Sequence, residues 1–299
     1  MGKIRKTAGE WTFDLINCGI MLAIAAATIY PFLHVAAISL NEARDSAAGG
    51  IGILPRKLSF DSYVTVFKYN NIFSAFLISA SRTIIGALLA VFFTAMTAYS
   101  MTKKDLIGYR IIYRFFVVSM FISAGIIPVF LLYQRLRLYN TFWVYVIPGL
   151  FNVYYMILMR TFILQLPREL EESALMDGAN EIVVFCRIIL PLSGPILATI
   201  GLFVAVGQWN SWQDTLFFTT SPNLETLQYV LMKVLRQAEA AAITRQARMS
   251  LSRLQRTISI TPESVKMAIT VVSTFPILCV YPFIQKYFVK GMMIGAVKG

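Results

Sequence analysis

The sequence predicts an all-α integral membrane protein with six transmembrane helices and one short cytoplasmic helix between the fourth and the fifth. Three observations carry that expectation. Hydrophobic residues fill 57% of the 299 positions and charged ones only 14%, with a mean hydropathy of +0.66, far from the balance of a soluble domain. Six apolar runs are each long enough for the roughly 20 residues that a bilayer crossing needs. A charged island, Leu166 to Pro195, sits between two of them.

The first run covers about 13–40 and follows Lys3, Arg5 and Lys6; Asp14, Asn17 and His34 interrupt it. Ala25, Ala26 and Ala27 imitate a signal cleavage site, but the run continues well past them, so an uncleaved span with a cytoplasmic N-terminus is expected. The other spans are expected at about 72–101, 111–133, 142–164, 188–219 and 264–288, the whole chain 1–299 forming a single transmembrane domain. Loops 102–110 and 165–187 and the C-terminus then lie inside, and 41–71, 134–141 and 220–263 outside. Lys103, Lys104, Arg110 and Arg114 agree with the excess of positive charge on inner loops; Arg135 and Arg137, on a short outer loop, run against it.

Several classes of function are excluded. Cys18, Cys186 and Cys279 lie in or beside apolar runs without paired spacing, so neither a disulfide framework nor a zinc site is expected. His34 is the only histidine, and no metal site is expected. No phosphate-cradling G-x-x-x-x-G-K-[ST] run occurs; if ATP drives this protein, another chain binds it. Asp14, His34, Arg82 and Asp214 are read as isolated titratable groups in the spans, with no nucleophile–base grouping, so an enzyme is not expected.

Within the charged island, Pro167 suits the first position of a helix, where its fixed φ fits and its missing N–H costs nothing. Glu169, Glu171 and Glu172 follow in the first turn, complementing the positive end of the helix dipole. Gly178 supplies a left-handed terminator. A helix over about 168–177 is expected, with Leu170, Ala174 and Leu175 along one side. A second helix starts near Asn180 and passes Pro191 and Pro195, where a kink is tolerated. The plain alternative is an ordinary loop between two spans.

The spacing in this island is specific. Glu172-Ser173-Ala174, three residues, Gly178, nine residues, Ile188, one residue, then Leu190-Pro191 resembles the EAA loop of the membrane subunits of bacterial binding-protein-dependent ABC importers, with Asp177-Gly178-Ala179 matching its common DGA variant. Ser173 stands where the first alanine is usual, a small-for-small departure. Leu54-Pro55 to Asp61-Ser62-Tyr63 resembles the stretch after the first helix in sugar permeases. Tyr281-Pro282-Phe283-Ile284-Gln285-Lys286-Tyr287, continuing to Gly299, resembles the tail of permeases for complex oligosaccharides.

The resemblance implies a type I importer permease for carbohydrate in the bacterial inner membrane, with both termini cytoplasmic. It implies that Glu172, Ser173, Ala174, Leu175, Asp177, Gly178 and Ala179 couple to an ATPase, with Gln285, Lys286 and Lys290 as secondary contacts; anchoring at the anionic inner leaflet is the alternative for the lysines. The implied partners are a homologous permease, expected as a heterodimer with a homodimer as the alternative, two copies of a cytoplasmic ATPase, an extracytoplasmic sugar-binding protein and membrane lipid, with no nucleic acid. The chain itself needs no cofactor, since ATP and magnesium belong to the ATPase.

Two stretches bear on substrate. Trp209, Asn210, Trp212 and Asp214 resemble the WN-x-x-x-D pattern of carbohydrate permeases, and aromatic faces beside amides and carboxylates suit sugar; an interfacial aromatic belt is the alternative. Between Lys233 and Lys266 seven basic residues, including Arg245, Arg248, Arg253 and Arg256, face two acidic ones. Such a partly helical outer loop would concentrate an acidic, uronate-type oligosaccharide, or else form a solvated face touching an acidic binding protein or the partner permease. A permease for another solute and a non-transporting sensor with the same dock are the rival functions.

Overall fold

The computed structural model describes residues 7–69, 71–249 and 263–279. Among them every regular element is helical, and the one extended pairing is an isolated bridge between Asn41 and Leu58. The chain divides into two compact units, Met1–Asn70 with Lys233–Thr274, and Asn71–Met232 with Phe275–Gly299.

In the first unit, α1 (Ala8–Ser39) is a helix of 32 residues, about 48 Å long and so ample for a bilayer crossing. Its start is held by Glu10, which accepts the Thr7 N–H at 2.8 Å. Leu15, Ile20, Leu22 and Ile29 are all exposed; a helix apolar on every side finds its solvent in lipid. The segment 41–71, expected as a polar loop, contains two helices, α2 (Ala43–Ala47) and α3 (Asp61–Tyr69). Buried Asn41 organises the turn between them, accepting the Lys57 N–H at 2.7 Å and donating to Asp45 at 2.9 Å. That hydrogen bond, with the Arg56 guanidinium 3.1 Å away, holds the Asp45 carboxyl below its ordinary range. Ser59 Oγ accepts the Asp61 N–H and opens α3, and Tyr63 joins Ser39 Oγ at 2.8 Å.

The second unit is built on α4 (Ile72–Ser100). Ala75, Ser79, Arg82, Gly86, Ala90, Thr94 and Ala98 recur every three or four residues on its buried face, and all but Arg82 are small. Small side chains at that spacing let another helix approach closely. The partner is α11, described below. Next come α5 (Tyr109–Ser119) and α6 (Ile126–Arg135), two helices where one span over 111–133 was expected. Gly125, at φ 74°, breaks the path, and Pro128 then falls in the first turn of α6, where its missing N–H is no loss.

The expected span 142–164 is likewise divided. Two short 3₁₀ turns, Phe142–Tyr145 and Ile147–Gly149, precede α7 (Val153–Ile163) with a bend of 47°. Pro148 removes a donor, and Asn152 starts the new helix by accepting the N–H groups of Tyr154 and Tyr155. After α8 (Glu169–Met176), the chain continues through α9 (Glu181–Val184), a π-helical turn at Phe185–Ile189 and α10 (Leu190–Leu192), then turns by 81° into α11 (Gly194–Asn210). Pro191 and Pro195 account for the kink. The helix α12 (Gln213–Phe218) follows. The core beneath these helices gathers Ala98, Tyr99, Met156, Met159, Phe185 and Ile200.

The expected outer loop 220–263 carries α13 (Leu227–Met249), whose Leu227 N–H donates to Ser79 Oγ at 2.8 Å. A further helix covers 263–279 and runs on through Pro276; membrane helices accommodate proline when neighbours satisfy the freed carbonyl. Among the described residues two helices are long and apolar enough to cross a membrane, Gly9–Ser39 and Ile72–Ser100, or up to four if each bent pair counts as one.

Candidate functional site

The charged island folds as a capped helix. Arg168 is the N-cap of α8, so Pro167 lies one position before the cap, not at the first helical position as expected. Glu169, Glu171 and Glu172 occupy the first turn. The other end closes with the Gly178 N–H on Leu175 O at 3.1 Å and the Ala179 N–H on Ala174 O at 3.0 Å. That crossed pair, with Gly178 at φ 83°, is the Schellman arrangement, which satisfies carbonyls a helix end would otherwise leave bare. Asn180 then caps the next helix through the Val183 N–H at 2.9 Å.

Of the expected docking residues, Glu172, Ser173, Leu175, Asp177 and Gly178 are exposed, while Ala174 and Ala179 pack against the core. Leu170 is exposed as well, and Met176 is 88% exposed. The helix therefore rests on its alanines and presents mixed apolar and acidic side chains outward.

Tyr99, Lys103 and Glu181, whose contacts sequence reasoning missed, tie the α8 region to the end of α4. Lys103, just past the end of α4, pairs with Glu171 and reaches Glu181 at 2.9 Å. The Tyr99 hydroxyl donates to Glu181 at 2.5 Å and lies 3.4 Å from Glu171, and the Lys103 ammonium lies 4.8 Å from the Tyr99 ring, close enough for a cation–π contact. A cleft of about 500 Å³, lined by Lys103, Glu171 and Glu181 with Arg168 and Glu172, opens beside α8. Sequence reading had counted Lys103 only as an inner-loop charge.

The expected sugar-path cluster is split. Trp209 is buried with its ring edge-on to Phe76 at 6.0 Å, and Asn210 accepts from Gln228 at 3.2 Å. Trp212 is the N-cap of α12. Of the four, only Asp214 lines a cavity of about 370 Å³. It stands there with Arg82, correcting the expectation that these two charges are isolated: Arg82 Nη2 lies 2.6 Å from Asp214 Oδ2. The guanidinium also donates from Nε and Nη2 to Gln208 Oε1 at 3.0 and 2.7 Å and packs 4.4 Å from the Tyr145 ring centre. Gln208 Nε2 donates in turn to Tyr145 O at 3.0 Å. The sequence signal was available: a lone arginine inside an apolar run requires a partner.

Arg245 and Arg248 fall in α13, whereas Arg253, Arg256, Gln285, Lys286 and Lys290 lie outside the described residues. Among the described residues no cluster of potential metal ligands occurs.

Apolar helices long enough to cross a membrane and a capped, exposed α8 fit one class, the permease subunit of an importer. Residues 82–294 match the family model described as the binding-protein-dependent transport system inner membrane component. The chain belongs to that family. It is 37% identical to the protein LplC of Bacillus subtilis (strain 168) over 99% of this chain and 98% of LplC. It is 35% identical to the polygalacturonan/rhamnogalacturonan transport system permease protein YtcP of the same organism, over 96% of this chain and 98% of that protein. A solved bacterial ABC transporter involved in the import of the acidic polysaccharide alginate contains a chain of the same fold, with a TM-score of 0.82 and 26% identity over 96% of this chain and 100% of that one. The family consists of membrane transport components, not enzymes, and in ABC importers a separate ATPase binds the nucleotide.

Proposed function

We propose that this chain forms, with a homologous second permease, the alternating-access path of an ATP-driven oligosaccharide importer, and that α8 is the element through which ATPase movement enters it. The observation that carries this reading is α8 itself, closed by Gly178, exposing Leu170, Glu172, Leu175 and Met176, and tied through Glu171 and Lys103 to the end of α4. Displacement of α8 would then be transmitted to the helix that α11 packs along. Six spans with both termini cytoplasmic put α8 on the ATPase side. Glu172, Ser173, Leu175, Asp177 and Gly178 would form the contact, with Ala174 and Ala179 seating the helix on the permease. Nucleotide can drive such a cycle only through different affinities for its two states.

The assembly would comprise this chain, a second permease in a heterodimer, two ATPase copies carrying ATP and magnesium, and an extracytoplasmic binding protein, in the bacterial inner membrane. An acidic, uronate-type oligosaccharide is the proposed cargo. It is supported by the names of the polygalacturonan permease and the alginate transporter and by the basic stretch Lys233–Lys266. The test compares uptake of acidic and neutral oligosaccharides by a variant with Arg245, Arg248 and Arg253 changed to glutamate. Loss confined to the acidic class is expected; equal loss of both would contradict the acidic cargo.

A further inference from the structure

We propose that the cavity between α4, α7 and α11 is a sugar subsite that reads the hydroxyls of a pyranose unit through Asp214, not its carboxylate. This rests on the oligosaccharide reading above. The cavity, at about 370 Å³, falls within the range of small-ligand sites, which combine apolar walls with a few placed polar groups. Tyr155 and Phe203, nearly parallel at 19° with ring centres 6.3 Å apart, supply an aromatic wall. Asp214, Arg82 and Gln208 supply the polar side.

The charges decide what this side can accept. The Arg82 side chain is 2% exposed and that of Asp214 is 35%, so the carboxylate, not the guanidinium, is what a ligand meets. Arg82 directs Nε and Nη2 to Gln208 and Asp214, and its Nη1 makes a long 3.4 Å contact with Ser211 O. The contacts to Asp214 from Arg82 Nη2 and from Ser211 Oγ, the latter at 2.7 Å, fall on Oδ2. Among the described residues Oδ1 is left unengaged. A carboxylate oxygen held in place accepts hydroxyl hydrogen bonds strongly, whereas a second carboxylate, that of a uronate, offers it no donor. Arg82 is thus a positioning residue that orients Asp214.

The test uses the full importer in proteoliposomes, with its partner permease, ATPase and binding protein, and arabinotriose, galactotriose and trigalacturonate as probes. Asp214→Asn removes the anionic acceptor; Phe203→Leu removes half the aromatic wall without touching the ion pair. Initial uptake at saturating binding protein is expected to fall about tenfold in Asp214→Asn, the equivalent of one charge-assisted hydrogen bond, for neutral and acidic probes alike. A smaller fall is expected in Phe203→Leu. Wild-type rates in both variants, or faster trigalacturonate uptake in Asp214→Asn, would overturn the subsite while leaving the importer reading intact. A wild-type complex that takes up none of the three would overturn both.

Discussion

Arg82 Nη2 and Asp214 Oδ2 lie 2.6 Å apart although 132 positions separate the two residues. The pair joins α4 to the segment that follows α11, so the kinked helix cannot slide along α4 without breaking it. A charge this buried persists because its partner is present.

Asp214→Ala should lower the stability of the solubilised protein by about 3 kcal/mol, because it leaves the Arg82 charge buried without a counterion. The double variant Arg82→Met/Asp214→Leu should recover most of that loss in a thermal-unfolding measurement. A double variant no more stable than Asp214→Ala would contradict the ion-pair account.

Gly86 faces Gln208, and a Cβ there would meet Gln208 Nε2 at 3.1 Å. Gly86→Leu should therefore push Gln208 off Arg82 and cost about 1–3 kcal/mol by overpacking. Gly207, with nothing within 4 Å of its Cβ position, provides the control, and Gly207→Ala should unfold near the wild-type temperature.

Lys103 should matter more to coupling than to stability. Partly exposed ion pairs contribute only about 0.2–1 kcal/mol, so Lys103→Met should leave the melting temperature almost unchanged. Oligosaccharide uptake per ATP hydrolysed should nevertheless fall severalfold, since α8 loses its tie to α4. Unchanged stoichiometry would show that the movement passes by another route.

The left-handed conformation of Gly178, at φ 83°, ranks its substitutions. Asparagine tolerates that region better than alanine, and proline cannot adopt it. ATPase co-purification should decline in the order Gly178→Asn, Gly178→Ala, Gly178→Pro at constant membrane insertion.

Local features were legible in the residues and distant ones were not. The cap on Gly178, the acidic first turn of α8 and the start at Asn180 each depend on neighbours within a few positions, and each is found. The breaks in the expected spans 111–133 and 142–164 follow from Gly125 and Pro148, but an apolar run hides them, because hydropathy measures what a segment contacts and not whether its hydrogen bonds continue. The Arg82–Asp214 pair and the contact of Lys103 with Glu171 and Glu181 arise only when helices far apart in sequence pack together. The prominent Trp209 drew attention as a sugar platform, yet it is buried against Phe76, while the less conspicuous Gln208 faces the cavity.

The central claim is that α8 passes the work of a separate ATPase to a sugar path. ATP-dependent oligosaccharide uptake by proteoliposomes holding the complete importer, compared between the wild-type chain and Gly178→Pro at equal permease content, tests it most directly. The account predicts robust uptake by the former and none by the latter, with the ATPase absent from the purified variant. Equal uptake by the two would contradict it.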